Sequence, residues 1–237
     1  MRSEPSDPSE LVNQVLYGEY FKVLEQRKSW SLIRLSHDNY EGWIDNKQYV
    51  EISEENYAFA KAQSNQLAGD PVQFVTTAEN QLITIVLGSS LHTSSLLKHT
   101  YEGAMYPENG DRSTIISTAL LYLKTPYLWG GRTSFGVDCS GFTQMVYRLN
   151  GHHLLRDASQ QATQGEALSF IEESQPGDLA FFDNADGAIV HVGIIMQDNY
   201  IIHAHGEVRI DRLDHTGIYN ADRRTHTHKL RVIKKII

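Results

Sequence analysis

Cysteine is almost missing: Cys139 is the single thiol in 237 residues. That excludes an intrachain disulfide and any zinc site built on several thiolates. Positive charge is also in deficit, with 21 Lys and Arg against 29 Asp and Glu, a formal net charge of −8. Such a balance argues against a general nucleic-acid binder, because neutralising phosphates requires a positive surface. No apolar run reaches the ~20 residues that span a bilayer. The start, Met1-Arg2-Ser3-Glu4-Pro5-Ser6-Asp7-Pro8, lacks the apolar stretch of a secretory signal. The sequence as it stands is therefore expected in the cytoplasm, and a truncated start would instead imply the periplasm or the cell exterior. Solenoid repeats and low-complexity tracts are absent too. What is present, 41% hydrophobic residues, is ample for one or two buried cores.

Residues 11–52 read as short strands broken by turns: Leu11-Val12, Val15 to Glu19, Tyr20 to Leu24, Trp30 to Leu35, Gly42 to Ile44 and Gln48 to Ile52. Ser31-Leu32-Ile33-Arg34-Leu35 alternates polar and apolar residues, the pattern of a meander with one buried face. Residues 53–67 read as a connecting helix, with Ser53 as cap and Glu54 and Glu55 at the positive end of the dipole. Val72 to Val75 and Gln81 to Leu87 predict a second small β module. From Ser113 the pattern turns helical, ending at Lys124-Thr125-Pro126. A further helix follows Asp138 and stops at Asn150-Gly151. Strands then follow at Leu179 to Phe182, Ile189 to Met196, Tyr200 to Ala204, Val208 to Ile210 and Leu230 to Ile237, so residues 110–237 form an α+β domain. The expected domains are thus 1–52, 53–109 and 110–237.

Asp138-Cys139-Ser140 sets the thiol at a helix start, where unpaired N–H groups favour thiolate. The charge of Asp138 opposes that effect, so a histidine partner is required. His191 and His203 are centred on residue 197, and a hairpin turning there sets them opposite one another on one sheet face. Three readings stay open from spacing: a thiol, base and orienting residue in a row, a structural histidine pair, or a metal site that includes His205. His152-His153 reads as an exposed loop, Glu41 as a solvated hairpin charge, and Arg223 to Lys229 as a solvated turn.

Five blocks in order carry a resemblance: Tyr127-Leu128-Trp129-Gly130-Gly131, Asp138-Cys139-Ser140-Gly141-Phe142, Pro176-Gly177-Asp178-Leu179 with Phe181-Phe182, His191-Val192-Gly193-Ile194, and Ile202-His203-Ala204. Together they resemble the NlpC-type cell-wall cysteine peptidases over residues 110–237. Leu16-Tyr17-Gly18-Glu19 and Asn39 to Ile44 resemble a bacterial SH3-type module, although no strand precedes Arg2-Ser3-Glu4, where such a module normally has one. The resemblance implies an α+β, papain-like catalytic domain preceded by one or two small SH3-like β-barrel modules. It also implies a triad of Cys139, His191 and His203.

The combination is similar to γ-D-glutamyl-L-diamino acid endopeptidases, which cut murein peptides carrying a free N-terminal L-Ala. That similarity implies Tyr127 as a donor to the oxyanion beside the Cys139 N–H. It further implies Trp129, Asp138, Ser140 and Ser159 as pocket residues, and Tyr40 and Glu19 of the SH3-like module as amine ligands. It implies no metal, no cofactor and no nucleic-acid partner; the partner is the peptide L-Ala-γ-D-Glu-diamino acid. A papain-like amidase or acyltransferase, and a non-catalytic wall-binding protein, are the alternative functions.

Overall fold

The structure, a computed structural model, describes residues 1–64, 66–107 and 112–237. The chain divides into two compact units, Met1–Glu108 and Asn109–Ile237; the boundary expected between 109 and 110 lies outside the described residues. No helix among the described residues is long and apolar enough to cross a membrane.

The first unit opens with an antiparallel meander of β1 (Phe21–Gln26), β2 (Trp30–Leu35) and β3 (Glu41–Asp45). Ser31, Ile33 and Leu35 of β2 alternate inward, and Ile33, Leu35, Ile44 and Met1 form the core. Arg2 runs along β3, exchanging backbone hydrogen bonds of 2.8 Å with Trp43 in both directions. The strands expected at 11–12 and 15–19 reduce to one bridge at Leu11 and a turn. The Glu19 carboxylate accepts the Leu16 N–H at 2.9 Å, a local bond that replaces strand pairing. The strand expected at 48–52 is also absent: Asp45 accepts the Lys47 N–H and caps a 3-10 turn, Asn46–Gln48.

Helix α1 spans Glu54–Ala62, with Ser53 accepting the Asn56 N–H, and ends short of residue 67. Beyond it, β4 (Val72–Thr76), β5 (Leu82–Val86) and β6 (Thr100–Tyr101) make a sheet ordered β5-β4-β6. Its core of Ala68, Val75, Ile85 and Leu91 receives Tyr17 from the preceding module. The two pieces meet at Gly18, whose φ of +75° and contact with Ser90 leave no room for a side chain: a Cβ there would lie 1.9 Å from the Ser90 carbonyl oxygen.

In the second unit, α2 (Ser113–Leu120) precedes a two-stranded ribbon, β7 (Arg132–Thr133) and β8 (Gly136–Val137). Helix α3 (Cys139–Leu149) follows directly, then α4 (Ala158–Gln161) and β9 (Glu166–Leu168). Six strands complete the unit: β10 (Leu179–Asp183), β11 (Ile189–Ile195), β12 (Tyr200–His205), β13 (Glu207–Leu213), β14 (Gly217–Asn220) and β15 (Thr225–Lys235). Each pairs antiparallel with the next, and β15 also pairs with β10, so the six close into a barrel with β9 on the outside of β15. Every residue of α3 is buried, and the helix packs on β11 and β12.

Helix α2 stops at Leu120, before the Lys124-Thr125-Pro126 end expected from the proline. Lys124 has a left-handed φ of 70°, and its N–H bonds Val208 O at 2.9 Å, so tertiary pairing draws the chain out of the helix. Residues 225–229 belong to β15 and are not the expected solvated turn, which shrinks to the residues before Thr225. Strands β9 and β14, like the ribbon, are additions to the sequence reading.

Gly18→Ala is expected to destabilise the first unit by more than about 1 kcal/mol. Chemical denaturation followed by Trp43 fluorescence checks this, and an unchanged midpoint would mean the close approach to Ser90 is dispensable.

Candidate active site

Asp138 is the residue on which the start of α3 rests. Its Oδ1 accepts the Gly141 N–H at 2.6 Å, the capping bond of the helix, and its Oδ2 accepts the Gly130 N–H at 2.8 Å. Arg156, itself 1% exposed, grips both oxygens, with Nη1 to Oδ1 at 3.0 Å and Nη2 to Oδ2 at 2.6 Å. Nη1 also donates to the Ser140 hydroxyl at 2.9 Å. A buried carboxylate is thereby neutralised by a fork-to-fork pair.

Cys139 is buried at the first position of α3. Burial, then the charge of Asp138, pushes its thiol up to about 12, although the backbone N–H groups of Val192 and Ser140 and the charge of Arg156 act the other way. The expected gain from the helix end is therefore outweighed by desolvation.

The histidine pair is diagonal, not directly opposite. The β11–β12 register sets His203 across from Gly193, with the turn over Gln197–Asn199. His191 and Gly193 share a face, so both imidazoles still stand on the same side. Gly193 makes the diagonal approach possible, because a Cβ there would lie 2.8 Å from the His203 Cβ. His191 Nε2 and His203 Nδ1 are 2.9 Å apart. His203 Nε2 lies 3.1 Å from Asp211 Oδ2, and Arg209 holds the same carboxylate through bonds of 2.7 and 2.9 Å.

These contacts fix the protons. Ionised Asp211 can only accept, so His203 carries its proton on Nε2 and accepts at Nδ1 from His191 Nε2–H. His191 is then left with a lone pair on Nδ1. Burial raises the Asp211 carboxyl, but the hydrogen bonds from His203 and Arg209 outweigh it and bring the group down to about 2. Burial also holds His191 well below its ordinary value, with the neighbouring histidines adding to the effect, and His203 is lowered for the same first reason.

The remaining expected residues are distributed as follows. Tyr127 is half-buried, and its hydroxyl is held above the ordinary tyrosine range by burial and by the charges of Cys139 and Asp138. Trp129 is 58% exposed. Ser159 faces solvent on α4, and from the stretch 156–160 it is Arg156 that reaches Asp138 and Ser140. Glu19 and Tyr40 belong to the first unit. There the Glu19 carboxylate is buried 3.9 Å from His37, which is 3.2 Å from Asp38, and Asp38 accepts the Tyr40 N–H at 2.9 Å. Glu41 pairs with Arg34 at the surface.

Sequence reasoning missed Asp211, Arg209 and His228. Arg209 lies in the expected strand and Asp211 one residue beyond it, but only the β12–β13 register brings Asp211 near His203. His228 stacks on His191 with ring centroids 4.1 Å apart. Barrel closure by β15 brings it there, and no local period signals such closure.

A buried helix with a thiol at its first residue, packed on an antiparallel barrel that carries a histidine pair, defines a papain-like domain of the cysteine-peptidase kind. Residues 124–227 match the NlpC/P60 family, and residues 1–48 match the bacterial dipeptidyl-peptidase SH3 domain. The chain is 30% identical to dipeptidyl-peptidase 6 of Lysinibacillus sphaericus, over 90% of this chain and 88% of that protein. It is 25% identical to a γ-D-glutamyl-L-lysine dipeptidyl-peptidase of Bacillus cereus, over 84% of this chain and 68% of that protein. A crystal structure of an NlpC/P60 family protein from Bacillus cereus superposes with a TM-score of 0.73 at 21% identity, covering 95% of this chain and 82% of that one. The chain belongs to the NlpC/P60 family of cysteine-type peptidases, with an SH3 domain ahead of the peptidase domain.

Two outcomes follow. With the thiol held high and His191 low, the resting pair is neutral thiol and neutral imidazole. Alkylation of Cys139 by iodoacetamide should therefore quicken about tenfold per pH unit from pH 6 to 9; a plateau below pH 7 would reveal a preformed ion pair instead. Arg156→Met strands the Asp138 carboxylate and should lower the stability of the folded chain by about 3–5 kcal/mol, read from urea unfolding.

Proposed function

We propose that this chain is a cysteine endopeptidase that hydrolyses the γ-D-glutamyl-diamino acid bond of murein peptides with a free N-terminal L-Ala. The observation that carries the reading is the relay Asp211, His203, His191, on a strand whose next residue, Val192, turns its backbone N–H to the buried Cys139. The similarity to dipeptidyl-peptidases across nearly the whole chain supports the peptide class.

In this mechanism His191 Nδ1 takes the thiol proton as the sulfur attacks the γ-carbonyl of D-Glu. The charge that develops on the carbonyl oxygen is met by the Cys139 N–H, which as a first-turn amide has no intrahelical partner, and by the Tyr127 hydroxyl. Collapse breaks the amide bond, and His191 returns its proton to the departing amine of the diamino acid. Water, deprotonated by His191, then attacks the thioester and frees L-Ala-D-Glu, which restores the thiol. His203 holds the His191 ring in the tautomer that keeps Nδ1 basic, and Asp211 fixes His203 in turn. Trp129 forms an exposed wall for the peptide, and Ser159 is a further pocket residue. Asp138 and Ser140 receive the L-Ala ammonium, which shares their oxygens with Arg156.

The test is mass spectrometry on L-Ala-γ-D-Glu-meso-diaminopimelate, its L-Lys counterpart and their N-acetylated forms. Release of L-Ala-D-Glu from the free-amine peptides is expected, abolished by Cys139→Ala. His203→Ala should lower kcat by about 10²-fold, and Asp211→Asn should lower it less while KM holds. An inert parent chain would overturn the peptidase reading. Transfer of the acyl group to an added amine in place of hydrolysis would point to an acyltransferase.

A further inference from the structure

The proposed peptidase chemistry makes no use of His228, and the way it meets the other two imidazoles has a chemistry of its own. His191, His203 and His228 each offer a ring nitrogen, and the three atoms lie within 4.8 Å of one another. We propose that these three histidines form a binding site for a divalent transition-metal ion of the zinc class, and that occupancy switches the peptidase off. The binding half stands on the histidine geometry alone; the inhibition half rests on the function proposed above.

Three imidazoles with a fourth position open are a ligand set that suits zinc. Zn–N bonds of about 2.0–2.1 Å in a tetrahedral site set ligand nitrogens about 3.3 Å apart. His191 Nε2 and His203 Nδ1 are already 2.9 Å apart, so an ion held by both replaces their hydrogen bond once each ring turns its lone pair off the line between them. The outer partners are in place as well. Asp211 accepts from His203 Nε2, which leaves Nδ1 of that ring as the donor atom. Thr227 Oγ1 lies 2.8 Å from His228 Nδ1, which leaves Nε2 of that ring for the ion. A carboxylate or hydroxyl behind the ligating imidazole is the arrangement that orients histidines on zinc. His228 is half-buried and borders a pocket shared with Asp183, Thr216 and Lys229, which gives an entry route.

Inhibition follows from proton placement. An ion on His191 Nε2 takes the electron pair of that nitrogen, so the proton it carried moves to Nδ1 and the ring stays neutral. Nδ1 is the atom that must accept the thiol proton, and once protonated it cannot. Cys139 is not a ligand in this arrangement, which separates the site from a zinc ion bridging thiol and imidazole.

The experiment is titration of the full chain carrying Cys139→Ala with Zn2+ against a chromogenic chelator, beside peptide cleavage by the parent chain in Zn2+ and after EDTA. One zinc per chain is expected in Cys139→Ala. Adding His228→Gln should weaken it by at least about 10-fold, the least that loss of even an outer partner costs a metal site. Co2+ should give tetrahedral visible absorption in the Cys139→Ala chain and the same absorption without a thiolate charge-transfer band in the parent, a readout independent of that second substitution. In the parent, Zn2+ should stop cleavage reversibly, and His228→Gln alone should keep basal cleavage while losing zinc sensitivity. Loss of zinc binding in Cys139→Ala, or binding indifferent to His228→Gln, overturns the site. Zinc bound as expected with cleavage unaffected overturns the switch. A parent chain inert in metal-free buffer defeats the peptidase reading alone, because the Cys139→Ala titration still reads the site.

Discussion

The second unit depends on one ion pair. Helix α3 is buried along its whole length, so the first-turn amides have to find acceptors within the protein. Asp138 takes the Gly141 N–H, and Arg156 makes the arrangement tolerable by cancelling the charge that burial would otherwise penalise. The thiol stands one residue beyond that carboxylate. Its neutral resting state is a consequence of the same solution, because the depth that requires the cap also desolvates the sulfur.

In the proposed mechanism activation therefore comes from a base rather than from the helix end. That base is held by a chain of acceptors that starts at Asp211. Arg209 keeps that carboxylate ionised, Asp211 fixes His203, and His203 fixes His191. Each link is a tautomer constraint and none is a charge held next to the thiol, which is consistent with His191 and His203 both lying below the ordinary histidine range.

Much of this was legible from residue order. Asp138 as cap, Cys139 at a helix start and two histidines on one face all follow from local pattern, because caps and strand alternation are local physics. The register is displaced by two residues, with Gly193 in place of His191 opposite His203, because Gln197–Asn199 forms a 3-10 turn rather than a tight symmetric hairpin, and an even displacement preserves the shared face. Ser159 against Arg156 shows the opposite limit. Both lie in one short stretch, and only the turn into α4 decides which side chain points inward. Asp211 and His228 depend on the β12–β13 register and on closure by β15, which are non-local and carry no period in the sequence.

That closure also sets an order of assembly. His191 and His203 sit on one hairpin and can meet from neighbouring sequence, whereas His228 arrives only when β15 docks against β10 across a long loop of intervening chain. Non-local pairing of this kind is the slow event in building a β architecture. On that ground the hairpin pair is expected to meet first, and the third imidazole to join it with the last seam of the barrel.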